Sequence, residues 1–164
     1  MQRLVHLADD ESSTDALGAA VAQSLPARAL ICLRGTLGAG KTRLVQAIAA
    51  ASGVDRRDVV SPTFVLIQPY QGRHTIYHMD AYRVRSDEEF LDLGPDEYFE
   101  EVAWTIIEWA DRVEGCLPPE RLDVEIDVVG PTSRRFTLLA RGPTYEAVLR
   151  RLQAALASSR GEQS

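Results

Sequence analysis

The chain has 164 residues, with 24 acidic and 18 basic side chains, a formal net charge of −6 and a pI near 5.1. That length suits one domain with a sizeable core, and the acidic balance excludes a broad nucleic-acid-binding face while leaving room for a local arginine patch. Nothing in it resembles a signal peptide or a membrane span, so a cytoplasmic protein without membrane contact is expected.

In chain order, Leu4 to Ala8 reads as a short strand. Ser13 is placed to cap a helix in which Ala16, Leu17, Ala20, Val21 and Leu25 recur at helical spacing up to Pro26. Ala29 to Leu33 is a short apolar run, as a buried parallel strand should be. A glycine-rich loop follows, and a helix begins near Thr42 and ends at Gly53. Thr63 to Tyr70 and His74 to Asp80 read as strands joined by Gln71-Gly72-Arg73, a hairpin that makes the sheet mixed. Ser86 caps a helix start and Pro95 opens another. Trp104 to Glu108 is an apolar run ending on a carboxylate. Leu122, Val124, Ile126 and Val128 alternate with Asp123, Glu125 and Asp127, which predicts a half-buried strand. Gly130 to Ser133 turns the chain into a partner strand, Arg134 to Arg141. An amphipathic helix over Pro143 to Ser158 closes the single domain, residues 1–158, and 159–164 are expected to be a disordered tail. Cys32 and Cys116 lack metal-ligand spacing and read as reduced structural thiols.

The most specific local feature is Gly35-Thr36-Leu37-Gly38-Ala39-Gly40-Lys41-Thr42, the G-x-x-x-x-G-K-[ST] phosphate-binding pattern, with a strand before it and a helix after it as that pattern requires. Lys41 is the only lysine in a chain that otherwise uses arginine and contains no asparagine. A compact ammonium fits between phosphates where a planar guanidinium is too large. The loop glycines let backbone N–H groups turn toward an anion, the helix dipole points the same way, and Thr42 offers a hydroxyl to Mg²⁺. A bound nucleoside triphosphate is the expectation.

Two carboxylates at strand ends complete such a site. Asp80 follows Ile76-Tyr77-His78-Met79, and Glu108 follows Trp104-Thr105-Ile106-Ile107. Strands parallel to the one before the loop end at the same sheet edge, where ligands bind, so either acid can reach a metal or a water. Ser61-Pro62-Thr63-Phe64 lies where phosphate-loop enzymes carry a switch segment, and Thr63 offers a hydroxyl to Mg²⁺ or the γ-phosphate. His78 reads as a packed histidine, because no third ligand is spaced for zinc. Trp109 reads as a packing residue near the nucleotide.

The loop motif, Ser61-Pro62-Thr63-Phe64, His78-Met79-Asp80-Ala81-Tyr82-Arg83 and Ile107-Glu108-Trp109, in this order and spacing, resemble the TsaE (YjeE) family. That family is the ATPase component of bacterial tRNA threonylcarbamoyladenosine synthesis. The resemblance runs from about Thr14 to the hairpin around Arg134. It implies an α/β P-loop NTPase core with a mixed, mostly parallel sheet, flanking helices and extra antiparallel hairpin strands. It also implies that Lys41 serves the phosphates and Thr42 the Mg²⁺, with Glu108 as the metal-associated acid. Asp80 and Thr63 would be needed for hydrolysis. Trp109 would lie beside the nucleotide and Thr14 near the base. Arg134, or the adjacent Arg135, would match an arginine near the nucleotide. Ala110 stands where the family commonly has proline. The implied activity is Mg²⁺-dependent hydrolysis of ATP in support of the TsaD–TsaB complex, which acts on the adenosine next to the anticodon, with tRNA met only indirectly.

Two rivals come from other classes. A GTPase switch needs an Asn-Lys-x-Asp element, which a chain without asparagine cannot supply. A small-molecule kinase of the P-loop class needs an acceptor pocket and an arginine-rich lid, part of which Arg83 and Arg85 would imitate.

Overall fold

The computed structural model describes residues 2–63 and 66–162. Phe64, the last residue of the Ser61–Phe64 motif, lies outside them, as do Gln163 and Ser164 of the expected tail. Seven strands form one sheet: β1 (Arg3–Ala8), β2 (Ala29–Gly35), β3 (Ile67–Gln71), β4 (Thr75–Asp80), β5 (Trp104–Glu108), β6 (Arg121–Val128) and β7 (Arg134–Arg141). Their spatial order is β1-β7-β6-β2-β5-β4-β3. The central strands β6, β2, β5 and β4 are mutually parallel. β7 and β1 continue antiparallel on one side, and β3 on the other. This is the α/β core with a mixed, mostly parallel sheet and added hairpin strands expected of a P-loop NTPase.

Helices α1 (Glu11–Ser24), α2 (Lys41–Ala51) and α5 (Pro143–Glu162) supply the larger core. There Leu17, Ile31, Leu33, Ile48, Val148 and Leu152 have no exposed surface. Each such aliphatic side chain contributes about 1.5–3 kcal/mol by leaving water. α1 and α2 approach so closely that a Cβ on Gly18 would lie 2.3 Å from that of Ala47, so only glycine fits there. The opposite face carries a smaller cluster, in which Cys32, Met79 and Ile107 pack with Phe90 of α3 (Asp87–Leu91) and Val113 of a 3₁₀ segment, Ala110–Cys116. α4 (Pro95–Glu100) opens on Pro95. Among the described residues no helix is long and apolar enough to cross a membrane.

Four local expectations are corrected. α1 starts a turn earlier than Ser13 suggests, because Asp10 is the cap and its carboxylate accepts from the Ser13 amide at 2.8 Å. β3 begins at Ile67 rather than Thr63. Residues 61–63 are irregular, and Leu66 stands in the left-handed region (φ 72°), outside the extended geometry of the ladder that starts at Ile67. α5 continues past Ser158 to Glu162, so residues 159–162 are helical. Asp123 is not on a solvated face: it is 1% exposed and held by Arg121 at 2.9 Å, by Arg141 and by Arg34 at 3.7 Å. The alternation in β6 fails there because arginines from three adjacent strands, Arg34 of β2, Arg121 of β6 and Arg141 of β7, close over the carboxylate.

Candidate functional site

β2 delivers the chain to the carboxyl edge of the sheet, and the loop Gly35–Thr42 turns it into α2. Gly40 caps α2 with left-handed geometry (φ 107°), a conformation that costs glycine little. No side chain caps this helix, and its first intrahelical bond is Leu44 N–H to the Gly40 carbonyl. The amides of Lys41, Thr42 and Arg43 thus precede the helical ladder and are available to an anion.

Lys41 is 5% exposed. Its Nζ donates to the carbonyls of Gly35 at 2.7 Å and Thr36 at 2.9 Å, and lies 3.8 Å from the Trp109 ring centroid. Burial holds this ammonium below the ordinary lysine pKa, against the opposing pull of the Glu108, Asp111 and Asp80 carboxylates. Thr42 Oγ1 lies 2.9 and 3.0 Å from the two oxygens of Glu108. A hydroxyl and a carboxylate side by side offer the hard oxygen atoms that suit Mg²⁺, which takes few protein ligands and completes its shell with phosphate and water.

Asp80 and Glu108 stand opposite each other in the parallel register of β4 and β5, and both are buried. The Asp80 carboxylate accepts from Ser61 Oγ at 2.6 Å, Thr63 Oγ1 at 3.1 Å and the Tyr82 amide at 2.8 Å. Glu108 meets His78 Nε2 at 2.5 Å as well as Thr42. A cavity of about 390 Å³ joins these groups, lined by Lys41, Thr42, Thr63, Asp80, Glu108 and Trp109 together with Leu37, Gly38 and Gly40.

A second cavity, about 540 Å³, opens on the other side of the loop and shares Gly38, Gly40 and Arg43 with the first. Thr14, Ala39 and Arg134 line it. Arg134 donates to the Ala39 carbonyl at 2.9 Å, whereas Arg135 lies 3.5 Å from Asp127 on the other face of β7. Of the two arginines, Arg134 is the one that touches the loop. Gly35 and Thr36 do not line either of these two cavities; they contribute the carbonyls that hold Lys41. Of the residues singled out in the sequence, Gly35 to Thr42 form the loop, Asp80 and Glu108 end their strands, Thr63 and Trp109 line the first cavity, and Thr14 and Arg134 line the second.

The structure adds residues that were not singled out. Ser61 joins Thr63 on the Asp80 carboxylate and makes the shorter of the two contacts. Arg43 forks onto Asp15 at 3.1 and 2.9 Å and lines both cavities. Tyr82 stacks obliquely on Trp109 at 4.9 Å, with Arg112 over both rings. His78 is fully buried, as packing predicts, but its ring is bonded to Glu108 and not merely packed. Two residues before Asp80 on a strand is the same face, which puts His78 on the site side of the sheet without naming Glu108 as its partner.

A family model described as threonylcarbamoyl adenosine biosynthesis protein TsaE matches residues 8–136. The tRNA threonylcarbamoyladenosine biosynthesis protein TsaE of Bacillus subtilis is 41% identical over 124 residues, covering 75% of this chain and 77% of that protein. The protein of the same name from Treponema pallidum is 36% identical over 121 residues, covering 74% and 89%. The crystal structure of Bacillus subtilis YdiB matches the fold with a TM-score of 0.79 at 30% identity, covering 93% of this chain and 95% of that one. By motif, fold and overall similarity, the chain belongs to the TsaE family of threonylcarbamoyladenosine biosynthesis proteins.

Proposed function

We propose that this chain binds ATP with Mg²⁺ in the paired cavities and hydrolyses it, as the ATPase that supports threonylcarbamoyladenosine formation in tRNA. The observation that carries the reading is the convergence of Lys41, Thr42, Asp80, Glu108 and Trp109 on one 390 Å³ cavity beside an uncapped helix N-terminus. In this account the α2 amides and Lys41 bind the phosphates, and Thr42 and Glu108 hold the metal. Mg²⁺, when bound, neutralises charge on the phosphate oxygens. Asp80, with Thr63, orients the attacking water. The base side of the nucleotide lies toward Thr14 and Arg134, and Trp109 packs beside the phosphates.

The protein acts in the cytoplasm on the TsaD–TsaB complex and does not itself transfer the threonylcarbamoyl group. Its net charge of −6 fits docking on a protein better than gripping tRNA. ATP turnover by the purified chain, measured with and without added nucleosides or shikimate-like acceptors, tests the reading. Release of inorganic phosphate without an acceptor supports it, and a phosphorylated acceptor would assign the chain to the small-molecule kinases.

A further inference from the structure

Three neighbouring strands each place one polar side chain in a line that ends at the metal-site carboxylate. Tyr70 of β3 lies with its hydroxyl 3.0 Å from His78 Nδ1, His78 of β4 meets Glu108 Oε2 at 2.5 Å through Nε2, and Glu108 of β5 meets Thr42. Tyr70 is 6% exposed, His78 0% and Glu108 2%. An ionised carboxylate only accepts, so the proton in the short contact belongs to Nε2, and in the neutral ring Nδ1 accepts from the tyrosine hydroxyl, whose other acceptor, the Val60 carbonyl, is more distant at 3.4 Å. Burial pushes the Tyr70 hydroxyl up to about 12, so it keeps the proton it donates.

We propose that His78, oriented by Tyr70, is a positioning residue that sets the Glu108 carboxylate for Mg²⁺ binding. The inference rests on the proposed nucleotide site and assigns to it a supporting chain that the motif reading treated as packing. The physical need is clear from the partners. Glu108 is buried and has two side-chain donors, the Thr42 hydroxyl and the His78 ring. The Thr42 contact comes from the phosphate loop, whereas the His78 contact comes from the neighbouring strand and holds the carboxylate independently of that loop. Without it the buried Glu108 carboxylate would lose the shorter of its two side-chain contacts, and a buried acceptor left without its donor is costly. Histidine suits the position because its two ring nitrogens meet partners on opposite sides, so Tyr70 on the outer strand fixes the ring that fixes Glu108. This is the arrangement by which outer partners tune metal ligands.

ATP binding to the purified full-length chain, followed by calorimetry across a Mg²⁺ series, tests the chain. His78→Ala is expected to raise the Mg²⁺ concentration for half-maximal ATP binding about tenfold or more, the usual effect of losing an outer-shell partner, while ATP binding without Mg²⁺ stays near the parent value. His78→Gln, whose amide can donate toward Glu108, should recover part of the loss. Thermal unfolding without nucleotide reports the packing contribution separately. Tyr70→Phe keeps the ring and removes only the hydroxyl, and should shift the Mg²⁺ requirement in the same direction by less. It also serves as the test if His78→Ala does not fold. An unchanged Mg²⁺ requirement in a folded His78→Ala, or in Tyr70→Phe should His78→Ala not fold, overturns the proposal. A loss in His78→Ala that His78→Gln restores in no part does so too. Glu108→Ala separates the two levels: if it also leaves the Mg²⁺ requirement unchanged, the metal site itself is misassigned, whereas a shift there with none at His78 overturns only the positioning role.

Discussion

Asp80 and Glu108 are paired across β4 and β5 in the same register, yet their carboxylates are engaged by different parts of the protein. Asp80 is bonded to the 61–63 segment through Ser61 and Thr63, and Glu108 to the phosphate loop through Thr42. Glu108→Ala is therefore predicted to weaken Mg²⁺-dependent ATP binding. Asp80→Ala should spare binding and lower turnover by roughly a hundredfold or more, the scale of a lost transition-state contact. Nucleotide titrations with and without Mg²⁺, paired with turnover rates, check the split. Normal hydrolysis by Asp80→Ala would reduce Asp80 to an anchor for the 61–63 segment.

Lys41→Arg should weaken ATP binding nearly as much as Lys41→Ala, although it keeps the charge. The ammonium is enclosed between the Gly35 and Thr36 carbonyls and the Trp109 ring, where a guanidinium is too large. Calorimetric titration of both variants measures it. An arginine variant that binds and hydrolyses ATP normally contradicts the role given to the lone lysine.

ATP affinity should also depend on pH through the same side chain. Burial lowers the Lys41 pKa in the free protein, and a bound triphosphate favours its charged form, so binding takes up a proton in the alkaline range. Affinity is undiminished below the lowered pKa and falls as pH rises through it. Titrations at rising pH should show that fall in the parent chain and not in Lys41→Ala.

Trp109 should report nucleotide directly. Its ring faces Lys41 Nζ at 3.8 Å and lines the phosphate-side cavity. Trp104 is 1% exposed, donates to the Pro26 carbonyl at 2.9 Å and stacks on His74 at 4.0 Å, away from the loop. ADP or ATP should change tryptophan emission in the parent and in Trp104→Phe, and lose its effect in Trp109→Phe. A full response in Trp109→Phe would transfer the signal to Trp104.

Much of this site is legible in the sequence because its parts are local. The loop from Gly35 to Thr42 carries its own spacing, and Asp80 and Glu108 each end a segment that reads as a strand. The rest depends on contacts between distant segments. Placement of β6 between β2 and β7 is invisible to alternation, and with it comes the burial of Asp123 among Arg34, Arg121 and Arg141. Asp10 and Ser13 are both good caps, so residue type alone does not choose between them. The ring of His78 could be assigned to Glu108 only once β4 and β5 were in register, and Tyr70 carries no sequence signal of its role.

Steady-state ATP hydrolysis with Mg²⁺, by the chain alone, with TsaD–TsaB and with tRNA, tests whether this ATPase depends on its protein partners. Phosphoryl transfer requires a fixed water and charge stabilisation that partner proteins often supply or order. In the free chain Asp80 is occupied by Ser61, Thr63 and the Tyr82 amide. Turnover should be slow for the chain alone, well above that rate with TsaD–TsaB, and not stimulated by tRNA alone. Equal rates with and without TsaD–TsaB, over concentrations that allow weak binding, would contradict that dependence.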